Sequence, residues 1–409
     1  MEGQKRLKLE GVAMLDKKKI LLKVTGNKNF KVKISEPFNK LCIEFLNDFS
    51  NSLKQYNKIN SYPDLIYLMF WCRKKRIENL AQDFRNNQLR LGRGLIFHIC
   101  PSNVPTNFAY SFFFGLLSGN SNIIKVPSIY SKEKEIILTI LKSVLDKSKY
   151  INLKKSNSFI QYDSNTETTK NISSICDGRV IWGGDKTINE IRKIWIPERS
   201  IEITFADRYS LSIINLEKLK KIKSNEIQQL AKKFYFDGYS MNQAACSSPH
   251  FVFWVGKKNK KLQNYFWNNL MKIVKRKFLF DDIHIVDKYS NLIENIITQK
   301  DFSKIKMFKN KLYIIDANKT NHLENVRGVN GTFFQKNISN INTLKKFITK
   351  KCQTISYFGF SNKELKPFLL NNNLLGVDRV VPIGNALDIN TIWDGFEVTK
   401  HLSRVISLE

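Results

Sequence analysis

Cys246 lies in the segment YSMNQAACSSP (239–249), after a long helical stretch and just before the apolar run HFVFWVG (250–256). A thiolate attacks a carbonyl carbon only where that carbon can reach it. Ala, Ser and a turn proline surround Cys246, which places it on a loop of small side chains open to a substrate carbonyl. The other cysteines, Cys42, Cys72, Cys100, Cys176 and Cys352, read as small buried hydrophobes. His250 is four residues beyond Cys246, but Pro249 and the start of a strand intervene, so it reads as a packed or exposed histidine rather than a base for the thiol.

Three other turns carry candidate chemistry. In CPSNVP (100–105), at the carboxyl end of an apolar strand, the Asn103 amide can face a developing oxyanion, although an ordinary proline-bounded turn has the same composition. GNSNIIKVPS (119–128) ends a strand on Lys125, with Ser128 in the turn beyond; a lysine there can bind the ribose of a dinucleotide or a phosphate on it, or be a surface charge. In WGGDKT (182–187), Gly183 and Gly184 stand between a strand and a helix start, where missing side chains let a pyrophosphate approach backbone N–H groups. No GxGxxG fingerprint accompanies them, so the glycine pair alone is weak evidence.

These turns need a framework, and the pattern supplies one. Strand 94–100, an apolar helix to about 118 and strand 122–126 make a βαβ unit, hence a parallel sheet in an α/β fold. The alternation continues through a helix at 132–146, strands at 158–161 and 179–183, a helix from 183, IEITF (201–205), a strand at 211–215 and a helix ending near 237. One helix is expected at 64–82, and residues 257–360 look less regular, with strand candidates at 311–316, 331–335 and 354–360. A chain of 409 residues with 42% hydrophobic and 12% aromatic content has material for two or three subdomains.

The formal net charge of +31 comes from lysines spread along the whole chain, as on a solvated basic surface. Clusters at 17–19 and 257–261 stand out locally, without the interleaved aromatics of a single-strand nucleic-acid groove. The six cysteines show neither a disulfide framework nor zinc-ligand spacing, so no metal is expected and the compartment is a reducing one. The start lacks a signal-peptide core, and the longest apolar run, 108–117, is well short of the roughly 20 residues of a membrane span. A cytoplasmic protein without membrane spans is expected.

Six segments in order, HICPSNVP, GNSNIIKVPS, IWGGDKTI, FADRYSLSII, NQAACSSPH and DRVVPIGNALDINTIWDGFEVTKHLSR, resemble the aldehyde-dehydrogenase superfamily. The branch they resemble is its long-chain acyl-CoA reductases, typified by the reductase of bacterial luminescence. The similarity runs over residues 92–404. It implies an aldehyde-dehydrogenase-like fold, with a Rossmann-like cofactor domain at 91–206, an α/β catalytic domain at 207–385, a scaffold segment at 1–90 and a C-terminal segment, 386–409, returning to the cleft. Carried over by position, Cys246 is the nucleophile, and Asn103 with the Cys246 N–H forms the oxyanion hole. Lys125, Ser128, Gly183 and Gly184 bind the cofactor, for which the resemblance implies NADPH, with NADH open.

One departure bears on the reaction. Members that oxidise aldehydes carry a glutamate four residues before the lysine of ELGGKSP, and with Arg208 at the lysine position that place is Thr204. Glu202 is the nearby carboxylate, on the same face of the strand, and is equally a strand-end surface charge. An enzyme that exchanges its acyl group with a thiol needs no base to activate water. The expected activity is therefore reduction of an acyl thioester to an aldehyde. The donor is acyl-CoA or an acyl group delivered by a partner acyl-protein synthetase, and the resemblance implies a homo-oligomer. The rival class, a nucleic-acid-binding basic protein, leaves Cys246 without a purpose.

Overall fold

The apolar runs at 94–100 and 122–126 lie side by side as parallel strands, from Leu95 opposite Ser121 to Ile99 opposite Lys125. The computed structural model describes residues 23–25, 30–84, 88–162, 166–277, 282–298, 302, 304–317 and 323–409. The lysine cluster at 17–19 lies outside them. The chain divides into two units, residues 1–206 with 389–409, and residues 207–388.

In the first unit the strands are β1 (Lys23–Thr25), β2 (Leu89–Gly92), β3 (Leu95–Ile99), β4 (Ser121–Lys125), β5 (Asn157–Ile160), β6 (Gly178–Trp182) and β7 (Ile201–Phe205). All but β2 form one sheet in the order β1-β5-β4-β3-β6-β7. Strands β3 to β7 are parallel and β1 is antiparallel to β5. Every residue of β3 and β6 is buried, as expected for strands covered on both faces. The covering helices include α1 (Lys40–Lys54), α2 (Pro63–Trp71), α3 (Lys74–Phe84), α4 (Asn107–Leu117), α5 (Lys132–Leu145) and α6 (Asp185–Arg192). The long apolar run is α4, a core helix buried from Phe108 to Leu117. Among the described residues no helix is long and apolar enough to cross a membrane.

The single helix expected at 64–82 is two, α2 and α3. The chain breaks at Cys72, and the Lys74 N–H turns to the Asn47 side chain of α1 at 3.1 Å. Phe45, Leu46, Phe49 and Leu53 of α1 are completely buried and share a core with α4 and α5.

The second unit holds β8 (Tyr209–Asn215), α7 (Ser224–Tyr239), β9 (Pro249–Val255), α8 (Lys260–Lys277), α9 (Asp282–Thr298), β10 (Lys304–Phe308), β11 (Leu312–Asp316), β12 (Thr332–Ile338), β13 (Cys352–Phe358) and β14 (Arg379–Pro382). Its sheet runs β10-β11-β12-β9-β8-β13-β14, parallel except for β10. The stretch 257–360, irregular in the sequence pattern, contains α8 and α9, of 18 and 17 residues. Helix α8 buries Gln263, Phe266, Trp267, Leu270 and Val274, a helical period hidden among lysines and asparagines. The chain then returns to the first unit, where β15 (Ile392–Trp393), β16 (Phe396–Glu397) and β17 (Ser403–Ile406) follow, β17 pairing antiparallel with β2.

Candidate active site

In the first sheet the strand order reverses direction at β3. From there β4 and β5 lie to one side and β6 and β7 to the other. Such a switch point leaves a crevice outside the carboxyl ends of the strands, where open α/β sheets bind ligands. Three turns that the sequence singles out emerge at this edge. Asn103, exposed, is in the turn after β3; Lys125 ends β4; and Gly183 and Gly184 follow β6. The Lys125 ammonium lies over the Tyr162 ring, 4.8 Å from its centroid. Ser128 is exposed, its hydroxyl 3.4 Å from the Tyr162 carbonyl. The Lys134 ammonium donates to the carbonyls of Pro127 and Ile129, at 2.8 and 2.7 Å, and fixes that turn.

The two glycines differ. The Gly183 N–H is used by the Phe205 carbonyl, at 3.1 Å, so it continues the sheet. Gly184 caps α6, and a methyl group added there would meet nothing within 4 Å. Behind the glycines a buried polar chain ties the strand ends together. The Trp182 indole N–H donates to the Ser111 hydroxyl at 2.9 Å, which lies 2.7 Å from His98 Nδ1, and His98 Nε2 lies 3.0 Å from Asn122 Oδ1. Burial pulls the His98 pKa down to about 4, so the imidazole is neutral and Nε2 carries the hydrogen that Asn122 accepts.

Glu202 is no free carboxylate. It pairs across the sheet with Arg179, only 2% exposed, whose Nη2 and Nε are 2.5 and 2.8 Å from Oε2, and Arg192 Nε approaches Oε1 at 3.0 Å. Arg192 also reaches the Thr204 hydroxyl at 3.3 Å. Two guanidinium groups hold this carboxylate.

In the second unit Cys246 is half-buried, on a turn between α7 and β9. Met241, Asn242 and Gln243 all have left-handed backbone, with φ of 55°, 52° and 63°. Each such residue costs on the order of 1–3 kcal/mol, so the turn persists only because its surroundings fix it. The buried Gln243 amide supplies much of that fixing. Its oxygen accepts the N–H groups of Gly331 and Thr332 at 2.9 and 3.2 Å, and its nitrogen donates to the carbonyls of Pro249 and Thr332, both at 3.0 Å. On the far side of the cysteine the Ser210 hydroxyl donates to the Cys246 carbonyl at 2.6 Å. Asp237 accepts the N–H groups of Gly384 and Ala386, at 2.7 and 3.0 Å, and holds α7 to the loop after β14. Arg208 pairs with Asp378 and donates to the Cys352 carbonyl at 3.0 Å, joining the start of β8 to the lead-in of β14.

The remaining thiols are of another kind. Burial pushes those of Cys42, Cys176 and Cys352 up to about 12, and that of Cys72 well above its ordinary value; Cys100, expected to be buried, is instead partly exposed as Cys246 is, with its thiol also pushed up to about 12. His250 is buried, with Nδ1 2.9 Å from the carbonyl oxygen and 3.1 Å from the nitrogen of Gly328. Burial first and then Arg327 lower its pKa to about 3, so it is a packed neutral histidine, as its strand position implies.

The family model described as acyl-CoA reductase (LuxC) matches residues 68–405. The chain belongs to the LuxC acyl-CoA reductase family. As a LuxC-family protein it is an oxidoreductase acting on acyl or aldehyde groups. Its fold is that of the aldehyde dehydrogenases. An oxidoreductase from Marinobacter aquaeolei superposes with a TM-score of 0.63 at 10% identity, over 92% of this chain and 84% of that one. Aldehyde dehydrogenase 21 from Physcomitrella patens gives 0.62 at 10% identity, over 90% and 85%. An NAD-dependent benzaldehyde dehydrogenase from Corynebacterium glutamicum gives 0.62 at 8% identity, over 91% and 85%. Comparison with curated proteins finds no match.

Sequence reasoning about this LuxC-family chain missed Ser210, Gln243 and Lys134. Gln243 stands three residues before Cys246, a spacing that marks it as a neighbour of the turn. Ser210 and Lys134 carry no such signal, because their partners are set by the fold.

Proposed function

We propose that the protein reduces an acyl thioester, with fatty acyl-CoA as donor and NADPH as reductant, to an aldehyde through an acyl group held on Cys246. One observation carries this reading: Cys246, three residues past the left-handed run Met241–Gln243, is tied down before it by the buried Gln243 amide and at its own carbonyl by the Ser210 hydroxyl, while the cysteine itself stays partly exposed. The arginine-bound state of Glu202 supports reduction over hydrolysis, since both of its oxygens accept from guanidinium groups rather than facing a water.

The residues at the carboxyl edge of the first sheet fit a nicotinamide dinucleotide. Lys125 and Ser128 would hold its ribose and any phosphate on it, and the open space at Gly184 admits the diphosphate at the start of α6, with Gly183 continuing the strand that presents it. When bound, the reduced nicotinamide supplies the hydride. In this assignment residues 91–206 carry the cofactor and residues 207–385 the nucleophile.

The Cys246 thiolate attacks the thioester carbonyl, the carbon–sulfur bond to the carrier breaks, and the carrier thiol leaves with the proton that Cys246 gave up. Asn103 and the Cys246 N–H are the donors assigned to the oxyanion, each worth about 3–4 kcal/mol in comparable sites. After hydride addition the thiohemiacetal on Cys246 collapses, which restores the cysteine and frees the aldehyde. Intact-mass analysis with myristoyl-CoA tests the scheme. An acyl adduct on wild type and none on Cys246→Ala, discharged as aldehyde by NADPH, is expected; an adduct that persists in Cys246→Ala would overturn it.

A further inference from the structure

We propose a second binding site in the 207–388 unit, at the end of its sheet away from Cys246, that takes a diphosphate-bearing anion. A cavity of about 290 Å³ opens there beside the carboxyl ends of β9, β11 and β12. Cys246 precedes the amino end of β9, and the seven residues of that strand separate the two places by about 20 Å.

The lysine cluster of the sequence becomes one wall of this cavity. Lys258 and Lys260 stand before and at the start of α8, and Lys304 and Lys306, alternate residues on one face of β10, form the other wall. Lys306 donates to the Asn264 side chain at 3.3 Å, which holds its ammonium at the rim. The Asn337 side chain also lines the cavity. Its oxygen accepts from Gln263, itself 4% exposed, at 3.0 Å, and its buried Nδ2 has no hydrogen-bond partner. A buried donor without an acceptor costs about 1–3 kcal/mol, and an anion oxygen would satisfy it. The one carboxylate lining the cavity, Asp316, accepts from Gln335 at 2.6 Å.

A fifth lining lysine, Lys336, holds its ammonium over the Phe347 ring at 4.6 Å, and the other four ammonium groups against one carboxylate call for more charge than a single phosphate brings. Two linked phosphates carry about three to four negative charges. The volume is at the lower end of the roughly 300–1,000 Å³ of small-molecule pockets, so it suits a diphosphate moiety rather than a whole dinucleotide.

Calorimetric titration of the full-length protein with inorganic pyrophosphate at low salt tests this, alongside the same titration with adenosine diphosphate. Wild type should bind, with affinity falling as salt rises. Lys304→Ala/Lys306→Ala should weaken that binding roughly tenfold or remove one site from the stoichiometry, and Asn337→Ala should weaken it less. Lys220→Ala/Lys221→Ala, a change of equal charge on exposed α-helical lysines, should leave it unchanged. Circular dichroism melts confirm that each variant is folded. Tighter binding of adenosine diphosphate would identify a nucleotide occupant, and equal or weaker binding a free anion. The site is disproved if wild type shows no binding, if the Lys304/Lys306 variant titrates like wild type, or if the Lys220/Lys221 variant loses as much.

Discussion

Ser210 donates its hydroxyl to the Cys246 carbonyl at 2.6 Å, and the same oxygen accepts the Thr354 N–H at 3.1 Å. One side chain on β8 thus joins β13 to the cysteine turn. We expect Ser210→Ala to remove a hydrogen bond from each of two backbone groups, costing about 1–3 kcal/mol of stability, and to loosen the cysteine without touching substrate. Acyl-enzyme formation, followed by quenched-flow mass spectrometry, should slow roughly tenfold with little change in KM, and Ser210→Thr should restore it. A stability loss with unchanged acylation would mean that the tether only supports the fold.

Thiol labelling separates Cys246 from the other cysteines. A thiol held near 12 is ionised to roughly one part in ten thousand at pH 8, and Cys42, Cys100, Cys176 and Cys352 are all held there by burial. Iodoacetamide at pH 8 should therefore modify Cys246 at least about a hundredfold faster than these four in the native protein, with all reacting in urea. Peptide mapping of the alkylated protein reads the order directly, and equal labelling of Cys100 would contradict the assignment.

Glu202 is poised to be misread as a catalytic base, and a single variant decides. Replacing Glu202 by Gln strips the 2%-exposed Arg179 of its counter-charge, a loss of the kind that costs about 3–5 kcal/mol in buried pairs. Denaturant unfolding should show that loss. The ratio of aldehyde to free fatty acid made by the folded variant should not move, because the carboxylate is already committed to Arg179 and Arg192. A rise in aldehyde at the cost of acid would instead make Glu202 the water-activating group.

The sequence carries the strands around β3 and β4 and the cysteine turn because local composition determines them: continuous apolar runs must be buried on both faces, and small residues beside a turn proline leave a thiol accessible. The break between α2 and α3 is different, for the Lys74 N–H there turns to Asn47, a residue on another helix. Ser210 and Thr354 are likewise joined only once β8 and β13 are parallel neighbours. Helix α8 is obscured by the lysines and asparagines between its apolar positions, whereas α9 buries Leu292 and leaves Ile283, Val286, Tyr289 and Ile297 exposed, so its apolar residues mark no single core face. The Gly183 N–H likewise finds its partner, the Phe205 carbonyl, only once β6 and β7 are neighbours.

Two buried charges give stability opposite pH dependences. Burial raises the Asp237 pKa from 3.8 to about 7, although two N–H groups favour its anion. The folded state then holds a proton that the unfolded chain has lost, so this residue's contribution is full below about pH 4 and disappears as pH rises to about 7. Burial lowers the Lys288 pKa from 10.5 to about 7, with its ammonium 3.0 Å from the Asn330 carbonyl. Here the unfolded chain holds the extra proton, so the contribution is full above about pH 10.5 and is lost as pH falls to about 7. Urea unfolding of wild type, Asp237→Asn and Lys288→Met across pH 5 to 10 checks both signs. Relative to wild type, Asp237→Asn should gain a few kcal/mol on going from pH 5 to 8, offset by a constant loss because an amide cannot accept from both Gly384 and Ala386. Lys288→Met should lose ground between pH 8 and 10, since wild type alone recovers there. Parallel curves for all three proteins would mean that both groups titrate normally and that burial at these positions is compensated in the folded state.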